Sequence, residues 1–279
     1  MYNKNKVNKP VTTGAQFAAA IAAGKVAMSN ELNGQGDPYH MTAFSSSFGI
    51  TQYVRTGGSW TTTVGFTDAN SAGGATRYAN WLNGAGKNLV FAGWDGAAGR
   101  FQDPDSSVAY WVTGPWGAGT VVNDSHAYGT PAKTPAKLTS KDIGIVAIPS
   151  IGGKTVHQFS GVRGYWQSVK VPGSSKARSV GKVLGALAGK TVQLASFKTL
   201  GKTPANAAAL AKVSDTLVKG FGAAGKNAYP MPSFVFQDTT WNKIGSAEVA
   251  ILKGALDSKT PAQYLSDAVA SLQDIIDNA

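Results

Sequence analysis

Cysteine is absent from this chain of 279 residues, which excludes disulfides, thiolate metal sites and a cysteine nucleophile. Charge is sparse too: Asp, Glu, Lys and Arg make up 15% of residues against 43% hydrophobic, so much of the polar surface must come from Ser, Thr, Asn, Gln and backbone. The balance is that of a globular chain, not a disordered one. No apolar run of about 18 residues is present to span a membrane. The Met1 segment leads straight into Pro10 without the apolar core of a secretory signal, so the expectation is a chain with no export signal of its own. Carboxylates are few and not paired by any helical spacing near a histidine, so a hydrolase reading has little to stand on.

The positive excess is larger than the low charge suggests. Twenty-six Lys and Arg against 15 Asp and Glu give +11 and a pI near 9.7. The lysines read as scattered singly, with no Arg-rich helix, zinc pattern or RNA-binding aromatic signature, so the charge is expected to be a solvated surface drawn to an anionic cell envelope, with no nucleic acid as partner. His40, His126 and His157 lack metal-ligand spacing, so no metal and no cofactor is expected. Gly220-Phe-Gly-Ala-Ala-Gly225 matches a dinucleotide fingerprint in letters, but it follows a helical stretch and runs into Pro230. Gly189-Lys190-Thr191 and Gly153-Lys154-Thr155 lack the earlier glycine of a phosphate loop and read as turns.

What is present alternates helix and strand. Thr13 and Gln16 form a capping box before Phe17 and Ile21, and Gly24 stops that helix. Val26 to Asn30 reads as a strand, and Glu31 to His40 as a loop containing Asp37, Pro38 and Tyr39. A second helix runs from Asp68 through Leu82 to Asn83-Gly84, and a loop from Gly93 to Asp105 follows. Asp142 to Pro149 reads as a buried strand and His157 to Val171 as another. Ser174 or Ser175 caps a helix with Val180, Val183, Leu184 and Leu187 at helical spacing, and a shorter helix carries Val192, Leu194 and Phe197 towards Gly201. Pro204-Ala205-Asn206 interrupts, and Ala207 to Val218 resumes. Asn227 to Phe236, with Pro230 and Pro232, is extended and crosses between lobes. Trp241, Ile244, Ala247, Ile251 and Ala255 share a helical face. The last helix has Thr260 as cap, Pro261 at its first position, Gln263 closing the box, and an apolar stripe of Leu265, Ala268, Val269, Leu272 and Ile276.

The stretch Tyr110 to Ala118 organises these elements. Val108, Tyr110 and Val112 are expected on one face of a strand, with Ala109, Trp111 and Thr113 on the other. Gly114 and Pro115 end it, leaving Trp116 on the rim where α/β proteins bind ligands. An indole there offers a flat apolar face and one N–H donor, which suits the C–H face and hydroxyl edge of a sugar.

In order, Asn3-Lys4 before Pro10, Asp37-Pro38-Tyr39, Gly114-Pro115-Trp116, the Gly144 to Pro149 strand with Gly152-Gly153-Lys154, Phe159-x-Gly-Val162, Gln193-Leu194, Gly201-x-x-Pro204-Ala205-Asn206, and Trp241 after Met231-Pro232 form a succession. Across nearly the whole chain it resembles the extracytoplasmic sugar-binding proteins of ABC transporters, of the maltose and maltodextrin type. The resemblance implies a type II periplasmic-binding-protein-like α/β fold, with two lobes closing on a sugar like a trap, and no enzymatic activity. Tyr39, Trp116 and Trp241 would be aromatic platforms, Asp37 a hydroxyl acceptor, and Met231 a contact at the cleft edge. Ala118 stands where an aromatic often follows, and Asp37 replaces the longer Glu, which suggests a shorter or different ligand. Residues 1–155 and 225–279 would form a complete C-terminal lobe and 156–224 a remnant of the N-terminal lobe, so a truncated binding protein is expected. Phe159, Val162, Tyr165 and Trp166 would then lie on an unprotected sheet edge through which another chain could associate. The implied partners are an oligosaccharide and a transporter permease. The implied place is outside the cytoplasm, with membrane contact only through the transporter or a lipid anchor. A basic envelope-associated interaction protein without a role in sugar uptake is the alternative.

Overall fold

Strands and helices alternate from the first residues of the computed structural model, which describes residues 1–122, 137–161, 164–168, 174–200 and 203–279. β1 (Tyr2–Asn3) is followed by α1 (Gly14–Ala22), where Thr13 and Gln16 make both halves of the capping box. Gly24, in the left-handed region at φ 63°, turns the chain into the fully buried β2 (Val26–Met28). The next element departs from expectation. Residues 38–47 form α2 (Pro38–Ser47), with Asp37 as its N-cap and Pro38 at its first position.

A hairpin that the sequence reading did not include follows: β3 (Tyr53–Thr56) and β4 (Ser59–Val64) join at Gly57-Gly58, both at positive φ. The helix expected from Asp68 is two helices, α3 (Asp68–Ser71) and α4 (Gly74–Asn83), because Ala72 and Gly73 at φ 51° and 77° interrupt the ladder. After β5 (Val90–Phe91), α5 (Trp94–Gln102) occupies most of the expected loop, burying Ala97, Ala98, Phe101 and Gln102. β6 (Tyr110–Val112) and α6 (Pro115–Val121) come next. β7 (Ile143–Gly144) is only the first part of the strand expected to reach Pro149.

These strands order as β5-β2-β6-β1-β7, with β5, β2 and β6 parallel and β1 antiparallel to β6 and β7. The sheet is covered on both faces, as parallel sheets are. Tyr110 and Val112 pack with Phe17, Phe44 and Ile251, whereas Trp111 packs with Phe101, Val121 and Leu217 on the other side. The expected alternation breaks one step earlier. The N–H groups of Ala109 and Tyr110 both donate to the Lys25 carbonyl, at 3.0 and 2.9 Å. Two residues therefore oppose one, and this bulge puts Val108 on the Trp111 side and Ala109 on the Tyr110 side.

β8 (Phe159–Ser160) precedes four helices: α7 (Ser174–Ala188), α8 (Lys190–Leu200), α9 (Ala207–Leu210) and α10 (Thr216–Ala224). Asp215 caps α10, so the helix expected over 207–218 is broken. The dinucleotide-like glycines fall in α10 and its C-cap, the wrong context for a phosphate loop. β9 (Tyr229–Pro230) pairs in parallel with β8. On α7, Val183 is 59% exposed and Val180, Leu184 and Leu187 are half-buried. Of the expected open edge, Phe159 is buried, Tyr165 and Trp166 are 72% and 81% exposed, and Val162 lies outside the described residues. His126, Pro172, Gly173 and Gly201 lie outside them as well. The lysines are not evenly scattered: residues 156–224 hold ten Lys and Arg against Asp215 alone, a net +9, and the remainder of the chain carries +2.

α11 (Gln237–Lys253) and α12 (Pro261–Asp277) close the chain. Ile244, Ala247 and Ile251 are buried on α11, while Ala255 lies beyond its end and is exposed. α12 carries the expected Thr260–Gln263 box and buries Leu265, Val269, Leu272 and Ile276. No helix among the described residues is long and apolar enough to cross a membrane.

Candidate functional site

Two helices begin at the carboxyl ends of neighbouring parallel strands. β2 leads through a loop into α2, and β6 leads directly into α6. Ligands of open α/β sheets lie outside these strand ends, and here the two helix starts bring aromatic side chains together. The Tyr39 and Trp116 rings lie 6.0 Å apart at 60°, and the Tyr39 and Phe159 rings 5.7 Å apart. His40 sits 5.3 Å from the Tyr39 ring, edge-on, and 5.8 Å from the Trp116 ring. The Tyr39 hydroxyl donates to the Phe159 carbonyl at 3.2 Å, which ties α2 to β8.

Gly114 shapes this cluster by its lack of a side chain. A Cβ there would stand 2.3 to 2.6 Å from three atoms of the Trp116 ring, so the indole folds back over the glycine backbone. The backbone at Gly114 is extended, and close approach is the reason for glycine here. A Cβ on Gly117 would likewise meet the Thr113 side chain at 2.5 Å. Tyr39 and Trp116 remain half-buried.

Asp37 is committed locally. One carboxylate oxygen accepts from the His40 backbone N–H at 3.1 Å and the other lies 2.6 Å from His40 Nδ1. Burial pushes the Asp37 carboxyl up, but its interactions with His40, the side-chain hydrogen bond first among them, outweigh it and hold the group below its ordinary range. The hydroxyl-acceptor role expected of Asp37 thus meets a carboxylate already engaged by its own helix. Trp241 is half-buried on α11, and its indole Nε1 is buried without a hydrogen-bond partner. One turn on, Gly245 lies so close to the chain before Asp37 that a Cβ would be 2.1 Å from the Gln35 carbonyl oxygen. Met231 is 39% exposed, one residue beyond β9.

The structure thus brings Asp37, Tyr39 and Trp116 into one cluster and places Trp241 on the helix packed against the start of α2. His40, Phe159 and Glu248 are not among the candidates that the sequence singles out. His40 has a signal, because Asp-Pro-x-His reads as N-cap, first position and a third-position side chain turned back to the cap. Glu248 also has one: it stands four residues after Ile244 on the apolar face of α11. It is buried, accepts from the Tyr78 hydroxyl at 2.7 Å, and leaves Oε2 unpartnered.

No protein-family model matches the sequence, and no curated protein matches it. Solved structures do. A cyclo/maltodextrin-binding protein complexed with maltotetraose superposes with a TM-score of 0.71 at 23% identity, over 99% of this chain and 67% of that one. The maltose-maltodextrin binding protein of the thermoacidophilic bacterium Alicyclobacillus acidocaldarius gives 0.65 at 17% identity, over 98% and 68%. The Thermus thermophilus maltotriose binding protein, bound with maltotriose, gives 0.62 at 18% identity, over 99% and 69%. The chain therefore has the type II periplasmic-binding-protein-like fold of the maltodextrin-binding proteins, over about two thirds of their length.

Proposed function

We propose that this chain binds an oligosaccharide of maltodextrin type, without enzymatic activity, as the solute-binding component of an ABC importer outside the cytoplasm. The observation that carries the reading is the gathering of Tyr39 and Trp116 at the carboxyl ends of β2 and β6, half-open to solvent. Aromatic faces bury the C–H face of a sugar without demanding one ring orientation, and polar groups beside them fix its hydroxyls. The maltotetraose and maltotriose complexes of the similar structures support the same ligand class.

In this reading Tyr39, Trp116 and Trp241 are platforms, Met231 borders the cleft, and Asp37 contributes to hydroxyl recognition. Residues 1–155 and 225–279 form one lobe and 156–224 belong to a second, linked through β8 and β9. A transporter permease receives the loaded protein, and the exposed Tyr165 and Trp166 supply a surface for association. A millimolar complex needs about 4 kcal/mol, which apolar burial on the rings and a few hydroxyl bonds of about 0.5–1.5 kcal/mol each suffice to supply.

Titrating the tryptophan fluorescence with maltose, maltotriose and a cyclodextrin tests the proposal. A saturable change with at least one of them, abolished by Trp116→Ala in a protein that keeps its circular dichroism, is the expected result. A folded protein that responds to none of the three would overturn it.

A further inference from the structure

The aromatic cluster encloses one polar atom that platform stacking leaves unused. His40 packs beside both Tyr39 and Trp116, its side chain only 15% exposed, and its Nε2 is buried without a hydrogen-bond partner. The other ring nitrogen, Nδ1, lies 2.6 Å from Asp37 Oδ2. An ionised carboxylate can only accept, so Nδ1 carries the proton, and in the neutral ring Nε2 then presents a lone pair. Both oxygens of Asp37 are already engaged by His40. Of the polar side-chain atoms of His40 and Asp37, Nε2 is the one without a partner, while each carboxylate oxygen already has one.

We propose that His40 Nε2 accepts a hydrogen bond from a hydroxyl of the bound sugar, and that Asp37 is a positioning residue that fixes the tautomer and ring orientation of His40. This rests on the sugar-binding reading above and changes the residue that reads the hydroxyl. In this proposal the Trp116 indole, which is half-buried and borders the imidazole, turns aside to open Nε2 to the ligand. A buried acceptor without a partner carries a desolvation penalty, and a hydroxyl donor removes it. The site then selects ligands with an apolar C–H face beside a hydroxyl that donates, and discriminates against ones in which that hydroxyl is missing.

The test is calorimetric titration of maltose and its monodeoxy analogues into the unaltered protein, His40→Phe, His40→Gln and Asp37→Asn. One analogue should bind the unaltered protein about tenfold more weakly than maltose, the scale of one hydrogen bond. His40→Phe keeps an aromatic ring but has no acceptor; it should bind maltose about tenfold more weakly and no longer distinguish that analogue. Asp37→Asn should weaken maltose while keeping the same analogue as the poor one. If His40→Phe does not fold by circular dichroism, His40→Gln, whose carbonyl can accept, should retain the discrimination. Unchanged discrimination in a folded His40→Phe, or a folded His40→Gln that no longer discriminates, overturns the role of His40 while leaving sugar binding intact. No binding of maltose to the unaltered protein overturns this inference, and no binding of maltotriose or a cyclodextrin either overturns the sugar-binding reading with it.

Discussion

Replacing Glu248 by glutamine should reshape the pH dependence of stability. Glu248 is 3% exposed on α11, and burial, opposed by the Tyr78 hydrogen bond and reinforced by the Asp37 charge, pushes its carboxyl up to about 8. The unfolded chain releases that proton near the ordinary value of about 4.5. Between those two values the folded protein holds a proton that the unfolded chain has lost, so stability falls as pH rises. The slope is about 1.4 kcal/mol per pH unit, or about 4 kcal/mol between pH 5 and pH 8. The full contribution is present below about 4.5 and is lost as pH rises through 8. Asp37 acts in the opposite sense and elsewhere: its depressed carboxyl adds stability above its ordinary 3.8, which is lost as pH falls below that value. A glutamine in place of Glu248 keeps an acceptor for the Tyr78 hydroxyl but cannot ionise. Urea unfolding followed by far-ultraviolet circular dichroism at pH 5, 6, 7 and 8 should show the variant close to the unaltered protein at pH 5 and several kcal/mol more stable at pH 8. Parallel stability curves for the two proteins would mean that Glu248 titrates alike in the folded and unfolded states, against this expectation.

Gly114→Ala should leave the fold intact but displace the Trp116 indole, which lies 2.3 Å from the new Cβ, and a blue or red shift of fluorescence with weakened maltotriose response would report it. Gly245→Ala sets a Cβ 2.1 Å from the Gln35 carbonyl, and overpacking of this kind should cost about 1–3 kcal/mol in denaturant unfolding. Thr260→Ala removes the cap of α12 and should cost about 1 kcal/mol, a loss of roughly 2–4 °C in Tm by calorimetry. Leu272→Ala empties a fully buried position on the same helix and should cost about 2–5 kcal/mol by the same measurement.

The sequence is most legible where local chemistry decides structure. Thr13 with Gln16 and Thr260 with Pro261 and Gln263 announce two helices because capping uses residues close in the chain. Gly114-Pro115-Trp116 is readable as a strand end and helix start for the same reason. The bulge at Ala109–Tyr110 is not readable, since it arises from two N–H groups sharing a carbonyl of a neighbouring strand. α2 reads as a loop in the sequence because Asp and Pro suit turns as well as caps, and its serine-rich body has little apolar stripe. α5 is hidden by glycines at 96 and 99, whose helix penalty is overcome by burying Ala97, Ala98 and Phe101. At the site, the three aromatic candidates are legible as residue types. The engagement of Asp37 by His40 is a matter of geometry, visible only once α2 is in place.

A crystal structure of this chain grown with maltotriose would locate the sugar. A glucosyl ring is expected against Trp116, near Tyr39, with a hydroxyl within hydrogen-bond distance of His40 Nε2. Density for the sugar elsewhere on the molecule, or an unchanged aromatic cluster with no sugar at saturating concentration, would contradict this expectation.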